Sequence, residues 1–276
     1  MHLKDSYLPD NIYVPGLPGP DGLFEKRYMG SRGRENRVYS DRETAWLPDI
    51  SADHPHHQEW MRRKKSCRRL LHYLSGKIQA KELAAKKKKG IPQKAPTLNI
   101  LDIGCGNGWL SHQFSLLPGT KVVGLDINLT DLKQAARVFR QQPNLKFIYG
   151  DFCSDVLNGL SFDIIVFAAS IAYFPSLPSI LNSALAQLRP GGEIHILDSC
   201  FYTPGNLASA QSLSRAYYSS LGFPEMAGHY FHHCLPDRSQ FKYRLLYNPY
   251  SLWNQLLRPA FPFPWIRVMN GANAGA

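Results

Sequence analysis

The stretch that decides the fold is Asn99-Ile100-Leu101-Asp102-Ile103-Gly104-Cys105-Gly106-Asn107-Gly108-Trp109-Leu110. The apolar run from Leu98 to Ile103 predicts a buried strand. Glycines then occupy alternate positions, and from Trp109 onward the apolar periodicity is helical. Glycine admits positive φ and has no Cβ, so the backbone here can lie against a ligand. A helix opening directly behind it aims its free N–H groups at that ligand. Strand, glycine turn and helix together open a nucleotide-binding α/β unit.

The neighbouring segments narrow the class of unit. A dinucleotide fingerprint needs a small residue three positions after its second glycine. Here that position is Trp109, and the spacing is Gly-x-Gly-x-Gly with an acid, Asp102, two residues ahead. Lys121-Val-Val-Gly-Leu-Asp126 predicts a second strand whose terminal acid lies 24 residues after Asp102, an interval that suits a strand–helix–strand unit. An acid at that tip can accept hydrogen bonds from both hydroxyls of a ribose. Asn144 to Asp151 predicts a third strand, also ending in an acid. Phe162 to Phe167 predicts a fourth, and Leu188 to Asp198 a helix stop, a Pro-Gly-Gly turn and a fifth strand.

These five segments, in this order and over about Leu98 to Ser199, resemble the class I S-adenosylmethionine (SAM) methyltransferases. The resemblance implies an α/β, Rossmann-like fold: a mostly parallel twisted sheet flanked by helices, with a C-terminal antiparallel hairpin. It implies SAM as cofactor, with the glycine turn around the methionine part. It also implies that Asp151 receives the adenine amino group while Phe152 packs on the ring. The cofactor-binding set is then Asp102, Gly104, Cys105, Gly106, Gly108, Asp126, Ile127, Asp151, Phe152 and Ser170.

Composition bounds what surrounds this unit. The 276 residues suffice for one sizeable core with appendages, and the net charge of +11 is concentrated in the first hundred residues. Arg62-Arg63-Lys64-Lys65, Arg68-Arg69 and Lys86 to Lys89 carry most of it, read as a solvated helix face and a charged linker. Such a run can also meet nucleic acid or another anionic surface. Five unclustered cysteines read as reduced thiols in a cytoplasmic protein. No apolar run reaches the roughly 18 residues a membrane span needs. The N-terminus lacks the apolar core of a signal peptide.

Three regions are expected. Residues 1–96 form an N-terminal arm, irregular to about Pro55, followed by a basic amphipathic helix to Lys77. Helices before the first strand commonly cap the cleft in the family resembled. Residues 97–248 form the cofactor-binding core, with Thr130 as the N-cap of the second core helix. Residues 249–276 form a docking tail, because Phe261-Pro-Phe-Pro-Trp265 is too proline-rich for a central strand; a last short helix is expected over Tyr250 to Arg258. The hairpin is assigned to His229–Cys234 and Phe241–Tyr247. Asp53-His54-Pro55-His56-His57 reads as a loop and helix cap without metal, since no ligand pattern accompanies it.

The cofactor belongs beyond the carboxyl ends of the strands, and Ser170 to Phe174 and Asp198 to Tyr202 fall on the acceptor side. For an acceptor that must lose a proton, His232 and His233 are the candidate bases, and Tyr173 is the candidate positioning group. The segment Ala168 to Tyr173 lacks the Asn/Asp-Pro-Pro-aromatic box that amino-methylating nucleic-acid enzymes carry there. The aromatic inventory after Phe201 suits a small or apolar acceptor. Three readings stand: a methyltransferase acting on a small organic molecule, an RNA or protein methyltransferase that uses the basic helix, and a non-catalytic binding module. The first is favoured, with nucleic acid the lesser alternative, no membrane partner and the oligomeric state open.

Overall fold

The computed structural model describes residues 7–8, 12–14, 22–87, 97–249, 251, 254 and 262–270. The five segments of the glycine-rich unit form parallel strands β3 (Leu98–Ile103), β4 (Thr120–Asp126), β5 (Leu145–Tyr149), β6 (Phe162–Ala168) and β7 (Leu188–Leu197). Two short N-terminal strands, β1 (Tyr7–Leu8) and β2 (Ile12–Tyr13), extend one edge, with β2 parallel to β5. β8 (Lys242–Tyr247) and β9 (Trp265–Met269) extend the other, both antiparallel to their neighbours. The order is β1-β2-β5-β4-β3-β6-β7-β9-β8. Chain order reverses at β3, which therefore fixes where a crevice opens between strand ends.

Both faces of the sheet are covered, which is why its strands read as near-continuous apolar runs. On one face Ile100, Val122, Phe147 and Ile164 pack against α3 (His57–Lys87), α4 (Trp109–Ser115) and α5 (Leu129–Val138), through Leu70, Leu74, Phe114 and Leu132. On the other, Leu101, Leu125, Ile148 and Phe167 pack against α6 (Leu177–Ala186) through Ile180, Leu181 and Ala184. α7 (Pro204–Ser220) follows β7. Among the described residues no helix is long and apolar enough to cross a membrane.

Four expectations are corrected here. The N-terminal arm is not irregular: α1 (Gly22–Arg34) and α2 (Asp41–Trp46) precede α3, and α2 opens with a capping box in which Ser40 and Glu43 exchange hydrogen bonds. Asn128 rather than Thr130 caps α5, because its side chain accepts from Asp131 N while Thr130 N donates to Glu25 of α1. Trp265–Met269, expected in a docking tail, is strand β9 between β7 and β8. The prolines stop at Pro264, and the run Trp-Ile-Arg-Val-Met after them is free to pair. His229–Cys234 is therefore not the hairpin partner; its Cys234 forms only an isolated bridge with Tyr202. The linker beyond Lys87 and most of the expected helix over Tyr250 to Arg258 lie outside the described residues.

The basic residues of α3 act on the sheet as well as on solvent. Lys77 Nζ lies 3.0 Å from Glu193 on β7, whose other neighbours are Tyr73 Oη at 2.8 Å, Arg267 at 3.3 Å and His195 Nε2 at 3.4 Å. Lys81 Nζ reaches Asp163 on β6 at 2.5 Å. His195 is fully buried and accepts from Trp265 Nε1 at 3.0 Å, a structural role. Burial works to raise the Glu193 carboxyl, but His195, Lys77 and Tyr73 outweigh it and hold it down at about 2. A depressed carboxyl contributes stability above its unfolded pKa and loses it as pH falls through the folded value. Glu193→Gln should therefore cost about 3 kcal/mol at pH 7. In urea titrations across pH, that deficit should close as pH falls from about 5 towards 2.

Candidate functional site

The glycine turn between β3 and α4 is shaped by the acid at the end of β4. Asp126 Oδ2 accepts from Gly106 N at 2.7 Å, and its Oδ1 from Asn128 N at 2.8 Å. Gly104, at φ +70, packs against the exit of β6: a Cβ there would lie 2.5 Å from the Ser170 Cβ. Gly106, at φ +51, has the most room of the three, since the nearest atom to a Cβ would be Asp131 Oδ2 at 3.8 Å, an ordinary contact. It is Gly106 that leaves room for a ligand along the turn.

Two cavities meet at this turn. The smaller, about 210 Å³, is bounded by Asp126, Ile127, Asp151, Phe152, Ser170 and Phe24. The larger, about 480 Å³, is bounded by Asp102, Cys105, Trp60, Arg63, Asp198 and a group of tyrosines. Both share Tyr28, Gly104, Gly106, Ala169 and Tyr173. Their size lies in the range of small-molecule sites taken together with their mouth at the strand ends. Helix α1 supplies one wall: Tyr28 meets Tyr173 edge-to-face at 5.7 Å, and Phe24 meets Tyr173 at 6.5 Å. Glu25 holds α1 in place by accepting from Thr130 N and Oγ1 at the start of α5.

The carboxylates of the cleft are under a common electrostatic load. Burial raises Asp102 to about 7, against a 2.6 Å hydrogen bond from Ser111. Burial, with Asp131 nearby, raises Asp126 to about 6, although Gly106 and Asn128 donate to it. Burial likewise raises Asp198, at the end of β7, to about 6. The arginines of the cleft are spent elsewhere. Arg37 and Arg63 lie within 2.6 and 2.9 Å of Glu59. Arg32 donates to the Arg37 carbonyl at 3.1 Å, with its guanidinium over the Tyr28 ring.

A family model described as a methyltransferase domain matches residues 94–245, which contain this turn and every strand-end acid around it. The chain belongs to the class I SAM-dependent methyltransferase family. It is 35% identical over 107 residues to a trans-aconitate 2-methyltransferase of Deinococcus radiodurans, covering 38% of this chain and 39% of that one. It is 30% identical over 100 residues to a sterol 24-C-methyltransferase of Gibberella zeae, covering 35% of this chain and 26% of that one. The match thus spans well under half the length of these curated relatives. Among solved structures, the plantazolicin methyltransferase BpumL in complex with SAH is 17% identical, covering 89% of this chain and 99% of that one at a TM-score of 0.46.

The methyltransferase cleft brings together most of the residues singled out from sequence, with informative exceptions. Asp102 and Cys105 line the larger cavity; Asp126, Ile127, Asp151, Phe152 and Ser170 line the smaller; Gly104, Gly106 and Tyr173 line both. Gly108 lines neither: it caps α4, and the space beside it is filled by Ala135 and Phe147, each 2.8 Å from a Cβ there. Nor do His232 and His233 bound either cavity. His232 Nε2 is 2.9 Å from Ser214 Oγ and its ring packs on Tyr202 and Tyr230. His233 is buried with Nε2 3.2 Å from the Ile171 carbonyl. His232 thus stands one residue back from the larger cavity, beside Ser214, Tyr202 and Tyr230, which bound it. Tyr173 is itself pushed far up by burial and stays a neutral phenol.

Sequence reasoning missed Tyr28 and Arg32 on α1 and Trp60 and Arg63 on α3. The aromatic and arginine content of Phe24 to Trp46 signals a segment that docks on the core, but Gly30 and Gly33 interrupt its helical pattern.

Asp102 is kept at a cost that a measurement can expose. An acid whose folded pKa is raised destabilises the fold progressively as pH climbs from its unfolded value to its folded one. For Asp102 that window runs from about 4 to about 7. Asp102→Asn should therefore unfold later than the unaltered protein at pH 8, by about 1–3 kcal/mol. The margin should shrink to nothing below pH 4. A margin independent of pH would refute this account.

Proposed function

We infer that the protein transfers the methyl group of SAM to a small organic acceptor. The observation that carries this reading is the junction of the two cavities at the Gly104–Gly106 turn. One side is framed by strand-end acids and the other by tyrosines, so donor and acceptor can be held in line across a shared mouth. When bound, SAM supplies an electrophilic methyl on a sulfonium, which leaves by in-line displacement.

The residues present suit that cofactor. In this reading Asp126, already fixed by Gly106 N and Asn128 N, keeps further lone pairs for ribose hydroxyls. Phe152, Ile127 and Ser170 supply flat apolar and small surfaces for adenine, with Asp151 at its amino edge. The open flank of Gly106 takes the methionine part, beside Asp102 and Cys105. Tyr173, bounding both cavities, positions the acceptor against the methyl and excludes water. The walls from α1 and α7 favour a small acceptor over a macromolecule. The division into an N-terminal cap, a core from 97 and a C-terminal segment follows the same reading, with α1 and α3 as the cap and β9 returned to the core.

Calorimetry with SAM and a label-transfer assay test this. Unaltered protein should bind SAM, and Asp126→Ala should lower the affinity at least about tenfold. Incubation with methyl-labelled SAM and a small-molecule extract should yield a labelled product identifiable by mass. No SAM binding by the unaltered protein overturns the reading. Label found only in RNA or protein replaces the small acceptor with a large one.

A further inference from the structure

The larger cavity contains one charge that the cofactor reading leaves unused. Asp198 follows the last residue of β7 at φ +53, a conformation L-residues rarely adopt and one that concentrates at functional sites. Its Oδ2 accepts from Ser66 Oγ at 2.8 Å. Its Oδ1 is cut off from solvent and has no hydrogen-bond partner. A carboxylate oxygen left in that state costs free energy unless a donor or a cation arrives.

The surroundings say which kind of donor. Tyr28, Tyr173, Tyr202, Tyr217, Tyr218 and Tyr230 bound the same cavity. Burial holds Tyr218 and Tyr230 at about 12, so these phenols remain neutral. Neutral tyrosine rings attract cations through their faces. Five carboxylates bound this cavity (Glu35, Glu59, Asp102, Asp131 and Asp198) against three guanidinium groups. All three of those are engaged, Arg63 by Glu59 and by the Trp60 ring at 5.1 Å. Arg63 eases the charge at Asp198 from a distance, but among the described residues no cation is hydrogen-bonded to it, and burial outweighs that help.

We propose that Asp198 anchors the acceptor, and that the acceptor is an amine carrying an apolar or aromatic body. This rests on the methyl-transfer reading above and names its substrate class. The ammonium docks on Asp198 Oδ1, the carboxyl side chain turning to bring that buried oxygen to the cavity, with the carbon body among the tyrosines. A neutral alcohol offers the same oxygen one hydrogen bond but no paired cation, and a carboxylate repels it. For transfer, one ammonium proton passes to Asp198 Oδ1 and the freed nitrogen pair forms the N–CH3 bond. The S–CH3 bond breaks with its pair remaining on sulfur, so sulfonium becomes thioether and the positive charge ends on the methylated nitrogen. Asp198 then releases its proton to solvent as the product leaves. No oxidant or further reactant enters.

The test uses the full-length protein saturated with S-adenosylhomocysteine at pH 8, titrated with phenethylamine, 2-phenylethanol and 3-phenylpropionate. The amine should bind at least about tenfold tighter than either isostere. Asp198→Asn should reduce amine binding to the alcohol's level while changing S-adenosylhomocysteine affinity less than about twofold. Asparagine tolerates positive φ, so this variant keeps the backbone. Its retained cofactor binding reports that it is folded. Amine binding that is absent, equal to the alcohol's, or unchanged in Asp198→Asn overturns the proposal. Failure of the unaltered protein to bind S-adenosylhomocysteine at all strikes the cofactor reading instead.

Discussion

The hydrogen bond from Gly106 N to Asp126 Oδ2 is the constraint on which the rest of the cleft depends. It joins the turn after β3 to the tip of β4 across the strand pair that the sheet places side by side. The turn is thereby held open at Gly106, and the acid is held facing the crevice. The arrangement is expensive, because a carboxylate in a buried crevice is desolvated, Asp131 beside it is of like charge, and Asp126 in turn raises Asp102. Three backbone donors, from Gly106, Asn128 and Ile127, offset only part of that load, and Asp126 remains raised. A ligand rich in hydroxyl donors and positive charge relieves it, so the strain points outward, towards binding.

The sheet carries two opposite electrostatic regimes. At the carboxyl ends of its strands, Asp102, Asp126 and Asp198 are raised by burial and short of cations. Elsewhere on β6 and β7, Asp163 and Glu193 are surrounded by basic groups from α3, β7 and β9 and are lowered in spite of burial. The same helix produces both effects. α3 sends Lys77 and Lys81 to the sheet carboxylates, while its Arg63 pairs with Glu59 at the cleft wall and reaches Asp198 only through space. A basic stretch that reads as a solvated face thus has a second use as a clamp. The cleft keeps its negative surplus because the nearest guanidinium groups are already paired.

The walls of the cleft come from parts of the chain far apart in sequence. α1 is tied to α5 by Glu25 and meets Tyr173 through aromatic edges. His232 and His233 support the tyrosine wall from behind. Histidines near a cleft draw attention as bases; here one ring meets Ser214 and the other a backbone carbonyl. Asp198, one of the carboxylates that bound the larger cavity, had only its place after the fifth strand to recommend it.

What the sequence by itself determined is whatever rests on local pattern. The apolar runs, the alternating glycines and the acids at Asp102, Asp126 and Asp151 define a parallel sheet and its crevice, because strand period and turn chemistry are short-range properties. The family resemblance follows from the order of those segments. Only the tertiary structure decided which glycine has room beside it. Gly104 and Gly108 look the same as Gly106 in sequence but are filled by Ser170 and by Ala135 with Phe147. It also decided that β9 belongs in the sheet, since a strand preceded by prolines is recognised by its partner and not by its own composition. And it alone separated His232 and His233 from Asp198, because burial and unmet hydrogen bonds are properties of assembled neighbours, which no single stretch of chain contains.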